Sequence, residues 1–147
     1  MTKYIAAIEW PASPTAARHL LLSCMVTMLD ELCIGFPPGP AEPMALTRRF
    51  LAGESGEALE RERDEANEHW WARIGELGIR DFSNPRALNA RLAICLLVSD
   101  EAEKWGWGEQ LGWFLEVLGF LGEDYNAAYE VAEKHFSFGA WPRDLAS

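Results

Sequence analysis

The stretch SGEALERERDEANEHWWARIGELG, Ser55 to Gly78, decides the fold class. Its apolar positions Leu59, Ala66, Trp70, Ile74 and Leu77 recur at intervals of three, four or seven residues and fall on one stripe of a helix. Glu57, Glu60, Arg61, Glu62, Arg63, Asp64, Glu65 and Glu68 fill the remainder. A strand would need alternation with a period of two, which is absent. The segment is a long amphipathic helix closed by Gly78, and its narrow apolar stripe calls for other helices to cover it.

Upstream, Ser13-Pro14 reads as an N-cap followed by proline at the first helical position, and dense apolar residues from Ala16 to Ile34 predict a buried helix ended by Gly35. Residues 36–44 carry Pro37, Pro38, Pro40 and Pro43, which remove donors and fix the backbone, so a stiff connector is expected before a short helix over 45–52. Downstream, Asn84-Pro85 repeats the cap-then-proline signal. Ala87 to Val98 is apolar nearly all round, a central helix that Ser99-Asp100 closes or restarts. A helix weakened by Gly108, Gly112 and Gly119 follows, with Gly112 and Gly119 on one face for close packing, and Asp124 caps a last helix to about Phe136. Residues 1–12 are expected as an extended arm with strand-like alternation at Tyr4 to Trp10, and 137–147 as a tail packing, if at all, through Trp141. The whole is predicted to be all-α: one domain over 1–147, a single bundle of about five or six helices.

Composition sets the outer limits. With 147 residues, 49% of them apolar, the chain suffices for one core without disulfide or metal support. Its formal charge of -10 repels phosphate backbones and anionic lipid, disfavouring nucleic-acid and membrane-surface roles, and attracts basic proteins. Cys24, Cys33 and Cys95 form no paired pattern and are read as reduced thiols, with Cys24 and Cys95 buried and inert. Tyr4 to Ile8 is too short for a signal-peptide core, and Leu20 to Leu29 is well below the ~18–20 apolar residues of a membrane span. A cytoplasmic location is expected.

No motif fixes a chemistry. Glu65, Glu68 and His69 share a helix, but the Glu-x-x-His spacing of carboxylate metal bundles is missing, so they are read as a solvated face and no metal or cofactor is expected. Glu57-Ala58-Leu59-Glu60 fits only the first half of the magnesium motif of all-α nucleotide pyrophosphohydrolases. The second half is absent, since Glu76 and Asp81 stand five apart, and no catalytic residue carries over. Phosphate-cradling glycine loops are also missing. The reading is that of a protein that is not an enzyme.

What stands out is unevenness. From Ser99 to Lys134 nine carboxylates (Asp100, Glu101, Glu103, Glu109, Glu116, Glu123, Asp124, Glu130 and Glu133) face only Lys104 and Lys134. Aromatics crowd the same region. Trp113, Phe114 and Phe120, beside leucines and valine at helical spacing, are assigned to the core. Trp105-Gly106-Trp107-Gly108 is different, because two large rings so close together cannot both face inward from a regular helix. The candidate partner-binding set is therefore Glu101, Glu103, Trp105, Trp107, Glu109, Glu123 and Asp124. In this general character, small, acidic, helical and with aromatics expected at the surface, the chain resembles the immunity proteins of bacterial toxin systems. The resemblance implies a cognate basic toxin or enzyme as partner, blocked by occlusion. Two alternatives stand beside it: a helical adaptor or regulatory subunit, homodimeric around Trp70 and Trp71, and a small carboxylate-dependent helical hydrolase.

Overall fold

A computed structural model describes residues 4–78 and 80–139. Among them six α-helices follow one another: α1 (Pro14–Glu31), α2 (Pro43–Leu51), α3 (Glu57–Leu77), α4 (Pro85–Leu96), α5 (Trp107–Phe120) and α6 (Tyr125–His135). Two 3-10 turns, Ile5–Ala7 and Asp100–Lys104, complete the regular structure. The all-α bundle is as expected.

Helix starts follow their caps. The Ser13 hydroxyl accepts from Ala16 N, Asn84 from Arg86 N, and Asp124 from Asn126 N and Ala127 N. α2 begins two residues before the expected 45, because Pro43 occupies the first helical position and the Glu42 carboxylate takes the amides of Met44 and Ala45 at 2.9 and 2.6 Å. α1 stops at Glu31 rather than Ile34. Cys33 adopts a left-handed φ of 57°, Cys33 N donates to Asp30 O and Ile34 N to Leu29 O, which closes the helix in a Schellman turn.

The core lies where α1 and α4 meet their neighbours. α4 is buried along almost its whole length and packs against α3, α5, α2 and α1, while α1 contacts α2, α5 and α6. α3 closes the side of α4 with Leu59, Ala66, Trp70 and Ile74. Phe114, at the middle of α5, is fully enclosed.

Three expectations are corrected. The N-terminal arm is not extended throughout: between the extended residues Tyr4 and Ile8, Ile5–Ala7 is a 3-10 turn lying on α5, and Ile8 is buried and bridged to Phe138. Glu9 N donates to Ser137 O, Gly139 N to Ala7 O, and Trp10 meets Phe136 edge-on, so residues 137–139 are pinned as well. The rest of the expected tail, with Trp141, lies outside the described residues. Phe120 is not core. It ends α5 on the side away from Phe114 and Leu118, is 48% exposed, and packs on Phe82, whose ring covers the Arg91 guanidinium. Gly112 faces open space rather than a neighbouring helix, and at Gly119 it is the Tyr125 ring, beyond the turn, that approaches.

A candidate partner-binding surface

The surface is built on the connection between α4 and α5. Beyond Leu97 the Ser99 hydroxyl caps a 3-10 turn by accepting from Glu101 N, and Ala102 anchors that turn by burial. Glu101, Glu103, Lys104 and Trp105 face outward. Gly106, at a φ of 92°, then redirects the backbone into α5. The change of direction separates the two tryptophans: Trp105 is 74% exposed, the most exposed large apolar side chain among the described residues, while Trp107 is 5% exposed and joins the core. Trp107 is thus removed from the expected binding set on geometric grounds.

The remaining residues divide. Glu109 is exposed in the first turn of α5, close to Trp105 in sequence and across Gly106 from it. Glu123 and Asp124 follow the opposite end of that 14-residue helix, about 20 Å along its axis, and the Asp124 carboxylate is occupied in capping α6. One patch therefore holds Glu101, Glu103, Trp105 and Glu109, and the other two acids lie outside it.

Beside Trp105 runs a groove of about 290 Å³. Trp71 of α3, 45% exposed, lines it with Trp105 and Trp113, as do the end of α4 (Ile94, Leu97), Asn67, Gln110 and Glu101. Trp70 by contrast is buried, its indole N–H donating to Ala41 O at 2.7 Å, so the dimer seam expected around Trp70 and Trp71 is reduced to Trp71. No hydrogen bond or ring stacking engages the Trp71, Trp105 or Trp113 indoles among the described residues.

Arg63, Ser99 and Glu101 separate this groove from a second cleft of about 520 Å³. Here a charged network ties α1, α3 and the Asp100–Lys104 turn together. Arg18 is 5% exposed, stacks on Phe50 at 4.1 Å, and donates from Nη1 to Glu60 at 2.8 Å and Asp100 at 3.4 Å. Arg63 donates to the other oxygen of Glu60 at 2.8 Å, to Leu97 O at 2.7 Å and to Asp64. The Thr15 hydroxyl adds a 2.6 Å bond to Asp100. Partial burial would raise the Glu60 carboxyl, but the hydrogen bonds from Arg63 and Arg18 outweigh it and hold the group below the usual carboxylate range. The carboxylates around Trp105 differ, for Glu101, Glu103 and Glu109 take part in no ion pair among the described residues.

The thiols and the acidic face of α3 are placed differently. Burial pushes the Cys24 and Cys95 thiols up to about 12, which keeps them protonated at neutral pH. Glu65, Glu68 and His69 are exposed, and among the described residues no three His, Cys, Asp or Glu side chains are grouped to hold an ion. No described helix is long and apolar enough to cross a membrane.

Sequence reasoning missed Trp71, Trp113 and the Arg18–Glu60 pair as parts of this surface. Trp71 carried a signal, because it stands one position off the α3 stripe that Trp70 occupies and must therefore point away from the core. The Arg18–Glu60 contact joins residues 42 apart and leaves no local mark. Comparison of the chain with protein-family models, with curated proteins and with solved structures found no match.

Proposed function

We propose that the chain is a protein-binding inhibitor of the immunity type, which occludes the active site of a cognate basic toxin or enzyme in the cytoplasm. In this reading it performs no chemistry and takes no cofactor. The observation that carries the proposal is Trp105, held out on a short capped turn among carboxylates that no cation of the described chain answers. Large exposed aromatics are the side chains that dominate binding energy at protein interfaces, and unanswered carboxylates steer a basic partner toward them. Three acids of α3, Glu60, Glu62 and Asp64, are instead paired with arginines; its exposed Glu57, Glu65 and Glu68 are in no ion pair among the described residues but have no exposed tryptophan on a capped turn beside them.

The test is affinity capture from the native lysate at low and high salt, with retained proteins identified by mass, run in parallel with the triple variant Glu101→Lys, Glu103→Lys, Glu109→Lys. One basic protein held in near-stoichiometric amount, released as salt rises and lost by the folded variant, is the expected result. Recovery of nothing but the chain itself would count against the inhibitor and turn attention to the homodimeric adaptor. A partner that the variant retains would move the binding surface elsewhere.

A further inference from the structure

The groove beside Trp105 has a more specific chemistry than a general anchor site. Three indoles line it, each without an internal stacking or hydrogen-bonding partner among the described residues; Trp113 is half-buried against the core, while Trp71 and Trp105 are exposed and leave π-faces to be covered. Its electrostatics favour a cation through the carboxylates of the Asp100–Lys104 turn. Glu101 lines it without an ion pair, and Glu103 follows on the same turn, where Lys104 is the one cation. α4 ends against it, but the carbonyl at that end, Leu97 O, is already taken by Arg63 and adds no attraction of its own. The cation in its wall, Arg63, is already satisfied by Glu60, Asp64 and Leu97 O and projects little free charge. Asn67 and Gln110 add amide oxygens able to accept hydrogen bonds.

We infer that this groove is the seat of an arginine side chain from the basic partner, its guanidinium lying against Trp71 and Trp105 and donating to Glu101. The inference rests on the inhibitor reading for the source of that arginine. A planar guanidinium both stacks on indole and offers donors in a fixed fork, whereas a lysine ammonium is a compact, strongly hydrated point charge that makes poorer use of flat aromatic walls. An apolar anchor would leave Glu101 unanswered at the edge of the contact.

The test uses the full chain labelled with ¹⁵N and two probes of equal charge, an acetylated tetraarginine amide and its tetralysine counterpart. The indole N–H signals are assigned by single Trp→Phe variants. Tetraarginine should shift the Trp71, Trp105 and Trp113 signals along one binding curve and leave the buried Trp70 and Trp107 in place. Tetralysine should bind about fivefold more weakly, and Trp105→Ala or Glu101→Gln should weaken tetraarginine about five- to tenfold with the Trp70 and Trp107 signals unmoved. Equal affinity for the two peptides, or shifts confined to tryptophans outside the groove, would overturn the assignment. The two readings fail separately. Indoles that respond as expected while the lysate yields no basic partner would remove the inhibitor and keep the arginine seat. A basic partner that binds Trp71→Ala, Trp105→Ala undiminished would remove the seat and keep the inhibitor.

Discussion

Among the described residues three helices end in the same Schellman geometry, and one of them places a residue other than glycine at its left-handed position. After α2 and α5 the left-handed position is filled by Gly53 and Gly122, but after α1 it is filled by Cys33 at a φ of 57°. A β-carbon in that conformation costs roughly 1–2 kcal/mol, partly offset because glycine has more freedom to lose from the unfolded chain. Cys33 is exposed, so little packing is lost with its side chain. Cys33→Gly is therefore expected to stabilise the fold by about 0.5–1 kcal/mol, read as a higher urea midpoint at unchanged slope. A lower midpoint would show that the thiol makes a contribution its exposure does not suggest. A second residue, Glu60, works in the opposite sense. It sits between Arg18 and Arg63, and Glu60→Gln should cost about 1–2 kcal/mol at neutral pH because both guanidiniums lose their charged acceptor. Since the folded-state value of Glu60 lies below its ordinary 4.5, its contribution is complete above that pH and is lost as pH falls through the folded value. The stability difference between wild type and Glu60→Gln should accordingly shrink as pH drops below about 4.5. A gap that persists undiminished at pH 3 would mean that charge is not what Glu60 supplies.

Among the elements, α5 carries the most glycine and shows how unequal those glycines are. Gly112 has empty space where a β-carbon would stand, and its backbone is ordinary helix, so Gly112→Ala should gain about 0.5–1 kcal/mol from helix propensity alone. At Gly119 the same β-carbon would run into the Tyr125 ring, which stacks on Tyr129, so the ring has to move aside and part of the gain is lost. Thermal melts of the two variants should rank Gly112→Ala above Gly119→Ala, and the reverse order would contradict the packing described here. Their spacing, which puts Gly112 and Gly119 on one helical face, made these two positions look equivalent in the sequence. They differ because one faces solvent over the N-terminal turn and the other faces a side chain supplied after the helix has ended. Helix starts were legible for the same reason that Gly119 was not: Ser13, Asn84 and Asp124 act on amides two or three residues away, within reach of a local reading. The end of α1 was legible only as Gly35, because nothing in Cys33 itself announces a left-handed residue.

At the scale of the whole molecule the acids divide into those paired within the fold and those left without an ion pair among the described residues, and the difference can be measured. Helical class and element order follow from periodicity and caps, but long-range contacts do not. The arm was read as extended with nothing to show where it docks, because its partner, Phe138, lies at the other end of the chain, and Glu123 and Asp124 were grouped with Trp105 because proximity in sequence hid a whole helix of separation. The same long-range pairing sorts the carboxylates. Glu54, Glu60 and Glu62 are answered by arginines across α1, α2 and α3, so they belong to the fold. Glu101, Glu103 and Glu109 are answered by nothing among the described residues. Reversing them removes no described ion pair, and on a chain of net charge -10 it relieves like-charge repulsion. The variant Glu101→Lys, Glu103→Lys, Glu109→Lys should therefore unfold within about 1 kcal/mol of wild type, because relief of like-charge repulsion offsets the loss of carboxylates from the first turns of two helices, while losing the basic partner proposed above. Denaturation and partner capture on one preparation separate folding from the proposed binding. Loss of more than about 2 kcal/mol would show that these acids hold the turn in place and that their loss of binding reports unfolding rather than a vacated interface.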